Sequence, residues 1–203
     1  MIKKQMQRYI DNQENKLQTG KYAFLPEEGT YIEKQSLLEK TEISIAELSE
    51  RFQPIYIEIA HKESDDSIQE NIDNSFLSEK ISYLEKNLDH YLYMETAAFD
   101  IIRIDALTIE VDSVFRTYEV MFGLHLPKKL EKSIRSYFDQ ALVEKELTYN
   151  LLFNNQEGLW EVNFPIEGLS TFSKEIKVFE ALQLIYLFLF RMEEKIEAEQ
   201  TID

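Results

Sequence analysis

A chain of 203 residues with 44% hydrophobic and 12% aromatic content has enough apolar surface for a real core, which excludes a disordered chain. It contains no Cys, which excludes disulfides, thiolate metal sites, Fe–S clusters and cysteine nucleophiles together. Its 38 acidic against 22 basic residues give a net charge of −16; phosphate backbones and anionic membranes are repelled, so neither nucleic acid nor a membrane is expected as a partner.

The start of the chain, MIKKQMQRYIDNQ, holds no apolar run long enough for a secretory signal, and with no Cys a reducing cytoplasm is the expected home. An acidic surface keeps such a protein soluble. It also suits a basic partner, or mimicry of nucleic acid toward a DNA-binding protein. Mimicry needs carboxylates in regular ranks, and Glu58, Glu63, Asp65, Asp66, Glu70 and Asp73 are dense but irregular.

Residues 2–18 put Ile2, Met6, Tyr9, Ile10 and Leu17 near one face, predicting a helix that Gly20 would cap. Gly20, Pro26 and Gly29 break the pattern, so residues 1–40 read as a peripheral arm on a single domain spanning 1–203. Ser44 and Glu47 have capping-box spacing ahead of Leu48, Phe52, Ile55 and Ile59, predicting a helix that kinks or restarts at Pro54. Residues 62–74 are polar and acidic around Ile68 and Ile72, and read as an exposed helix or loop.

Ile81, Leu84, Leu88, Tyr91, Leu92, Ala98, Phe99 and Ile102 then recur at helical spacing, predicting a long amphipathic helix over 79–103. Residues 105–122 admit two readings. Leu107, Val111, Val114, Phe115, Tyr118 and Phe122 follow a helical period, while Leu107, Ile109 and Val111 alternate with polar residues; the longer period favours helix. Gly123 and Pro127 mark a stop and a start, and a helix is predicted over 127–145 through Leu130, Ile134, Tyr137, Phe138 and Leu142. Its first turns carry the basic cluster Lys128, Lys129, Lys132 and Arg135.

Residues 146–166 differ in kind. Leu147, Tyr149, Leu151 and Phe153 alternate, an Asn155-Gln156-Glu157-Gly158 turn follows, and Trp160, Val162 and Phe164 alternate in return. That pattern predicts a β-hairpin with one apolar face, which must pack on helices because a lone hairpin is marginal in water. In the stretch 169–199, only Gln183 and Arg191 are polar between Leu182 and Met192. A helix apolar on every side has to be enclosed, and this run falls short of the roughly 18–20 residues that span a bilayer.

The expected fold class is therefore mainly α, a bundle of about six helices with one β-hairpin before a long C-terminal core helix. If residues 1–40 stay peripheral, one apolar strip of the last helix is left over. A homodimer would bury that strip against its own copy, with Phe188 at the interface.

Candidate chemistry is sparse. Glu58 and His61 form a Glu-x-x-His, which a helix would place on one face; di-iron bundles use that spacing twice and this chain has it once, so no metal is assigned. His61, His90 and His125 could converge as a three-histidine site, but no two are four residues apart on one helix. Asp105, Glu110 and Asp112 stand among apolar residues and are candidates for an acid or base. No Gly-x-Ser-x-Gly elbow and no Gly-rich phosphate loop is present, so no catalytic or cofactor-binding residue is assigned and no cofactor is expected. Aromatic anchors dominate interfaces, which makes Trp160, Tyr149 and Phe188 the candidate interaction residues, although Trp160 shares its predicted face with Val162 and Phe164. The function expected is a non-catalytic interaction or regulatory module with a basic protein partner. The competing reading is a small enzyme or a ligand- or metal-binding helical bundle.

The run ELTYNLLFNNQEGLWEVNF (146–164), followed by the long terminal helix, resembles short uncharacterised bacterial proteins, some labelled branched-chain amino acid aminotransferase. The resemblance implies pyridoxal phosphate, held by a Schiff-base lysine and a cup of backbone N–H groups. No residues of this chain match such a cup, and 203 residues are few for that fold.

Overall fold

A computed structural model describes residues 2–14, 22–45, 48–142 and 148–202. In chain order its elements are α1 (Ile2–Glu14), β1 (Tyr22–Phe24), α2 (Pro26–Gln35), β2 (Ile43–Ile45), α3 (Leu48–Arg51), β3 (Ile55–His61), β4 (Ser67–Gln69), α4 (Tyr83–Lys86), β5 (His90–Thr96), β6 (Leu107–Val111), β7 (Tyr118–Leu124), α5 (Glu131–Ala141), β8 (Asn150–Asn154), β9 (Leu159–Pro165) and α6 (Val178–Ile202). β1 and β2 pair in parallel, while the other strands form one seven-stranded antiparallel sheet in the order β4-β3-β5-β6-β7-β9-β8.

The mainly helical bundle predicted from periodicity is thus overturned by a sheet. The physical reason is visible in each misread segment. Ile55 and Ile59 are four residues apart, as a helix requires, but Ile55, Ile57 and Ile59 also alternate with Tyr56 and Glu58, and β-branched side chains favour an extended backbone. Within the predicted helix 79–103, Leu92 and Met94 alternate with Tyr91, Tyr93 and Glu95, and β5 pairs with both β3 and β6. Residues 105–122 are the hairpin β6–β7, so the short alternation outranks the longer helical period there. Asp112 Oδ1 accepts the N–H groups of Val114 and Phe115, which folds that hairpin's turn.

The hairpin at the chain's later end forms as β8–β9, with Gly158 at a φ of 73° in its turn, but it extends the sheet's edge rather than standing alone against helices. Its predicted residues 146 and 147 lie outside the described residues, as do Gly20 and Glu47, while Ser44 stands in β2 rather than at a helix cap.

Alternation gives the sheet two unlike faces. One carries Ile57, Leu92, Ile109, Val120, Val162 and Phe164, all buried, and α6 crosses it. Between ring centroids, Phe188 of α6 lies 5.2 Å from Phe164 of β9 and 5.0 Å from Phe138 of α5. Each large apolar side chain enclosed this way contributes about 1.5–3 kcal/mol. The described residues of the predicted arm 1–40 share this core, since Ile2, Met6, Ile10, Phe24, Leu25 and Tyr31 are buried and α1 packs on α6. The apolar strip of α6 that motivated a homodimer is therefore covered by the chain's own elements. Among the described residues, no helix is long and apolar enough to cross a membrane.

Candidate functional site

The other face of the sheet is open. No strand of the seven-stranded sheet carries a Lys or Arg, and its glutamates, Glu58, Glu95, Glu110, Glu119 and Glu161, all alternate onto this open face. The register places them beside aromatic rings. Tyr56 is opposite Glu95, Glu58 opposite Tyr93, and Tyr91 opposite Glu110. The Tyr56 and Tyr93 rings meet edge to face with centroids 6.3 Å apart.

The phenols are held by the carboxylates. Tyr56 donates to Glu58 Oε2 at 3.0 Å, Tyr91 donates to Asp65 Oδ1 at 3.4 Å, and Tyr93 donates to Glu95. Partial burial, then the neighbouring carboxylate, pushes the Tyr93 hydroxyl well above the usual phenol range, and the same two causes raise Tyr91. Both rings stay neutral donors at physiological pH, each fixing a negatively charged acceptor beside an apolar surface.

One pair on this face opposes its own kind. Glu110 of β6 is directly across from Glu119 of β7, an arrangement that destabilises a sheet. Lys62 relieves part of it, with its Nζ 3.4 Å from Glu110 Oε1 and donating to the Val111 carbonyl at 2.5 Å. Burial, with Asp112 and Glu110 adding to it, raises the carboxyl of Glu119 despite a 2.6 Å bond from the Thr117 hydroxyl. Toward β8 the face sinks into a depression of about 540 Å³ lined by Thr108, Met121, Gly123, Leu159, Glu161 and Asn163. A Cβ on Gly123 would come within 3.2 Å of Leu159, so glycine keeps the floor of this depression low. Beside it Leu152 is 58% exposed.

The residues singled out from sequence fall elsewhere. Trp160 and Phe188 are buried in the core and offer a partner nothing. Tyr149 is half-buried, its ring 5.0 Å from Phe138 and its hydroxyl donating to Asp139 Oδ1 at 2.8 Å. Asp112 serves the β6–β7 turn, and the Phe115 and Val114 N–H groups hold its carboxyl below the usual range. Asp105 is exposed and bonded to His125 Nε2 at 2.6 Å. Glu58 and His61 do not share a face, because an odd separation in a strand points side chains to opposite sides. His61 instead lies opposite His90 of β5, near Asp89, while His125 is apart from both.

Sequence reasoning missed Tyr56, Tyr91, Tyr93, Glu95, Glu119 and Glu161 as a set. The signal that could have found them is strand-length alternating runs in which every polar position is acidic, aromatic or uncharged. No protein-family model matches the chain, and no curated protein or solved structure matches it either, so nothing among known proteins bears on the aminotransferase resemblance.

Proposed function

We propose that the protein is a non-catalytic binding module that seats a basic protein partner on the open face of its sheet. The observation that carries this reading is the sorting of charge: a sheet without Lys or Arg in any strand, whose glutamates all stand on one face among Tyr56, Tyr91 and Tyr93. A surface serving solubility alone mixes both signs, and cross-strand glutamates would be avoided. Tyrosines supply contact area at low entropic cost, and fixed carboxylates accept Lys or Arg side chains in charge-assisted bonds. The depression over Gly123, with Glu161 on its wall, fits one long basic side chain as an anchor. A cytoplasmic setting agrees with the absence of Cys.

The test compares two charge-neutralised proteins. One carries Glu58→Gln, Glu110→Gln and Glu161→Gln on the open face; the other carries Glu33→Gln, Glu180→Gln and Glu194→Gln on helices. A partner captured by the wild type and purified should bind the helix variant normally, lose at least tenfold affinity (about 1.4 kcal/mol) for the sheet variant, and weaken steeply with salt. Equal binding to both variants would refute the assignment of the face.

A further inference from the structure

We propose that His61, Asp89 and His90 bind a divalent transition-metal ion of the zinc class at the end of the β3–β5 pair. Their ligand atoms all lie within 4.8 Å of one another. His61 Nδ1 is 3.5 Å from Asp89 Oδ2, and His90 Nε2 is 3.8 Å from Asp89 Oδ1. Around a tetrahedral zinc with bonds of about 2.0–2.1 Å, neighbouring ligand atoms stand about 3.4 Å apart. Small rotations of these side chains close the remaining gap.

The backbone that carries the ligands is fixed before any ion arrives. His61 and His90 face each other in the ladder, with ring centroids 5.4 Å apart and planes at 80°. The Lys62 N–H donates to the Asp89 carbonyl at 2.9 Å, and the His90 N–H donates to the Asn87 carbonyl at 3.0 Å. Ligands mounted on strand ends and a bonded turn hold their geometry better than ligands on free loops.

An outer partner is also in place. The Tyr83 hydroxyl lies 3.0 Å from His90 Nδ1. Accepting the Nδ1–H there selects the tautomer whose Nε2 lone pair faces Asp89, which is how ligating histidines are commonly oriented. Two imidazoles and one carboxylate leave a fourth position for water and suit zinc better than magnesium or calcium, which prefer oxygen donors throughout.

The site has a structural consequence. An ion there would tie the end of β3 to the turn before β5, raising thermal stability by mass action. It stands apart from the open-face glutamates, because His61 continues the Ile55, Ile57, Ile59 side of β3.

The experiment is a zinc titration of the tag-free full chain near neutral pH, by calorimetry, with cobalt as a spectroscopic probe. One Zn²⁺ per chain is expected at micromolar affinity or tighter, with a rise in melting temperature. His61→Ala and His90→Ala should each cost at least about tenfold in affinity, and Tyr83→Phe about tenfold, as removal of an outer partner commonly does. Bound Co²⁺ should show the intense visible absorption of a four-coordinate ion, lost in His90→Ala. If either alanine variant loses its native circular dichroism, Asp89→Asn decides in its place, since that side chain is 67% exposed and its loss must also weaken zinc. No stoichiometric binding, binding unchanged in the ligand variants, or binding that depends on His125 instead would each overturn the proposal.

Discussion

Two acid–base pairs stand beside α6, one fully buried and one whose arginine is only partly buried, and they are built differently. Glu28, fully buried on α2, takes Arg51 Nε at 2.7 Å, Arg51 Nη2 at 2.5 Å, the Tyr186 hydroxyl at 2.5 Å and the Leu25 N–H at 2.8 Å. Arg51 also donates to the Tyr9 hydroxyl at 3.0 Å, with its guanidinium 4.9 Å from the centre of that ring. At the other pair, Arg103 Nε and Glu193 Oε1 stand 3.5 Å apart, and neither atom has a hydrogen-bond partner among the described residues. Glu193 and the Nε of Arg103 have lost their water without replacing it, whereas Glu28 and Arg51 have replaced theirs, and hydrogen-bond saturation rather than burial decides what an internal ion pair is worth.

The sharpest way to break this contrast is to unpair the saturated site. Glu28→Ala leaves Arg51 charged and buried without its acceptor, and urea denaturation should show a loss of about 3–5 kcal/mol. A loss below about 1 kcal/mol would mean that the network is decorative.

Next in size is a pH effect confined to the other pair. Burial lifts the carboxyl of Glu193 from 4.5 to about 7, with Arg103 pulling it down and Glu197 pushing it up. Between those values the folded protein keeps a proton that the unfolded chain has released. Stability is therefore full below about pH 4.5 and falls as pH rises to about 7, by about 3 kcal/mol from this group. Glu193→Gln should flatten the unfolding free energy across that window; a wild-type curve already flat there would remove the contrast.

Replacing both members separates the pairs again. Arg103→Met with Glu193→Leu should stabilise by about 2 kcal/mol, since an unsatisfied pair exchanged for packed apolar side chains is often a gain. The equivalent Arg51→Met with Glu28→Leu should bring no gain, because Tyr9, Tyr186 and Leu25 would lose their partners. The smallest effect is Tyr186→Phe, which removes one bond to a charged acceptor and should cost about 1.5 kcal/mol in the same denaturation measurement.

Neither pair was legible in the sequence. Glu28 and Arg51 are 23 residues apart, and nothing local marks either as internal. What could be read was strictly local. Trp160, Val162 and Phe164 alternate without a competing period, so their hairpin was readable, as was the all-apolar stretch that became α6. β3 and β5 were not readable, because Ile55 and Ile59, or Leu88 and Leu92, satisfy both periods, and only pairing with neighbouring strands decides between them. The candidate site suffered from that error directly. With 55–61 taken as helix, Glu58 and His61 look like neighbours; as a strand they separate, and His61 finds His90 while Glu58 finds Tyr93. The open face itself was hidden for the same reason, since charge sorting can be seen only once the strands are drawn.

The placement of α6 has a consequence in time as well as in space. The sheet and the N-terminal helices are complete in sequence by Pro165, yet the helix that covers the apolar side begins at Val178. During synthesis every strand therefore leaves the ribosome before α6 does, and the side of Phe164 that Phe188 covers stays open until α6 follows. For that interval the nascent chain presents a broad sticky plane on one side. On the other stands the acidic open face, whose like charges repel a second unfinished copy at the moment when clumping is most dangerous.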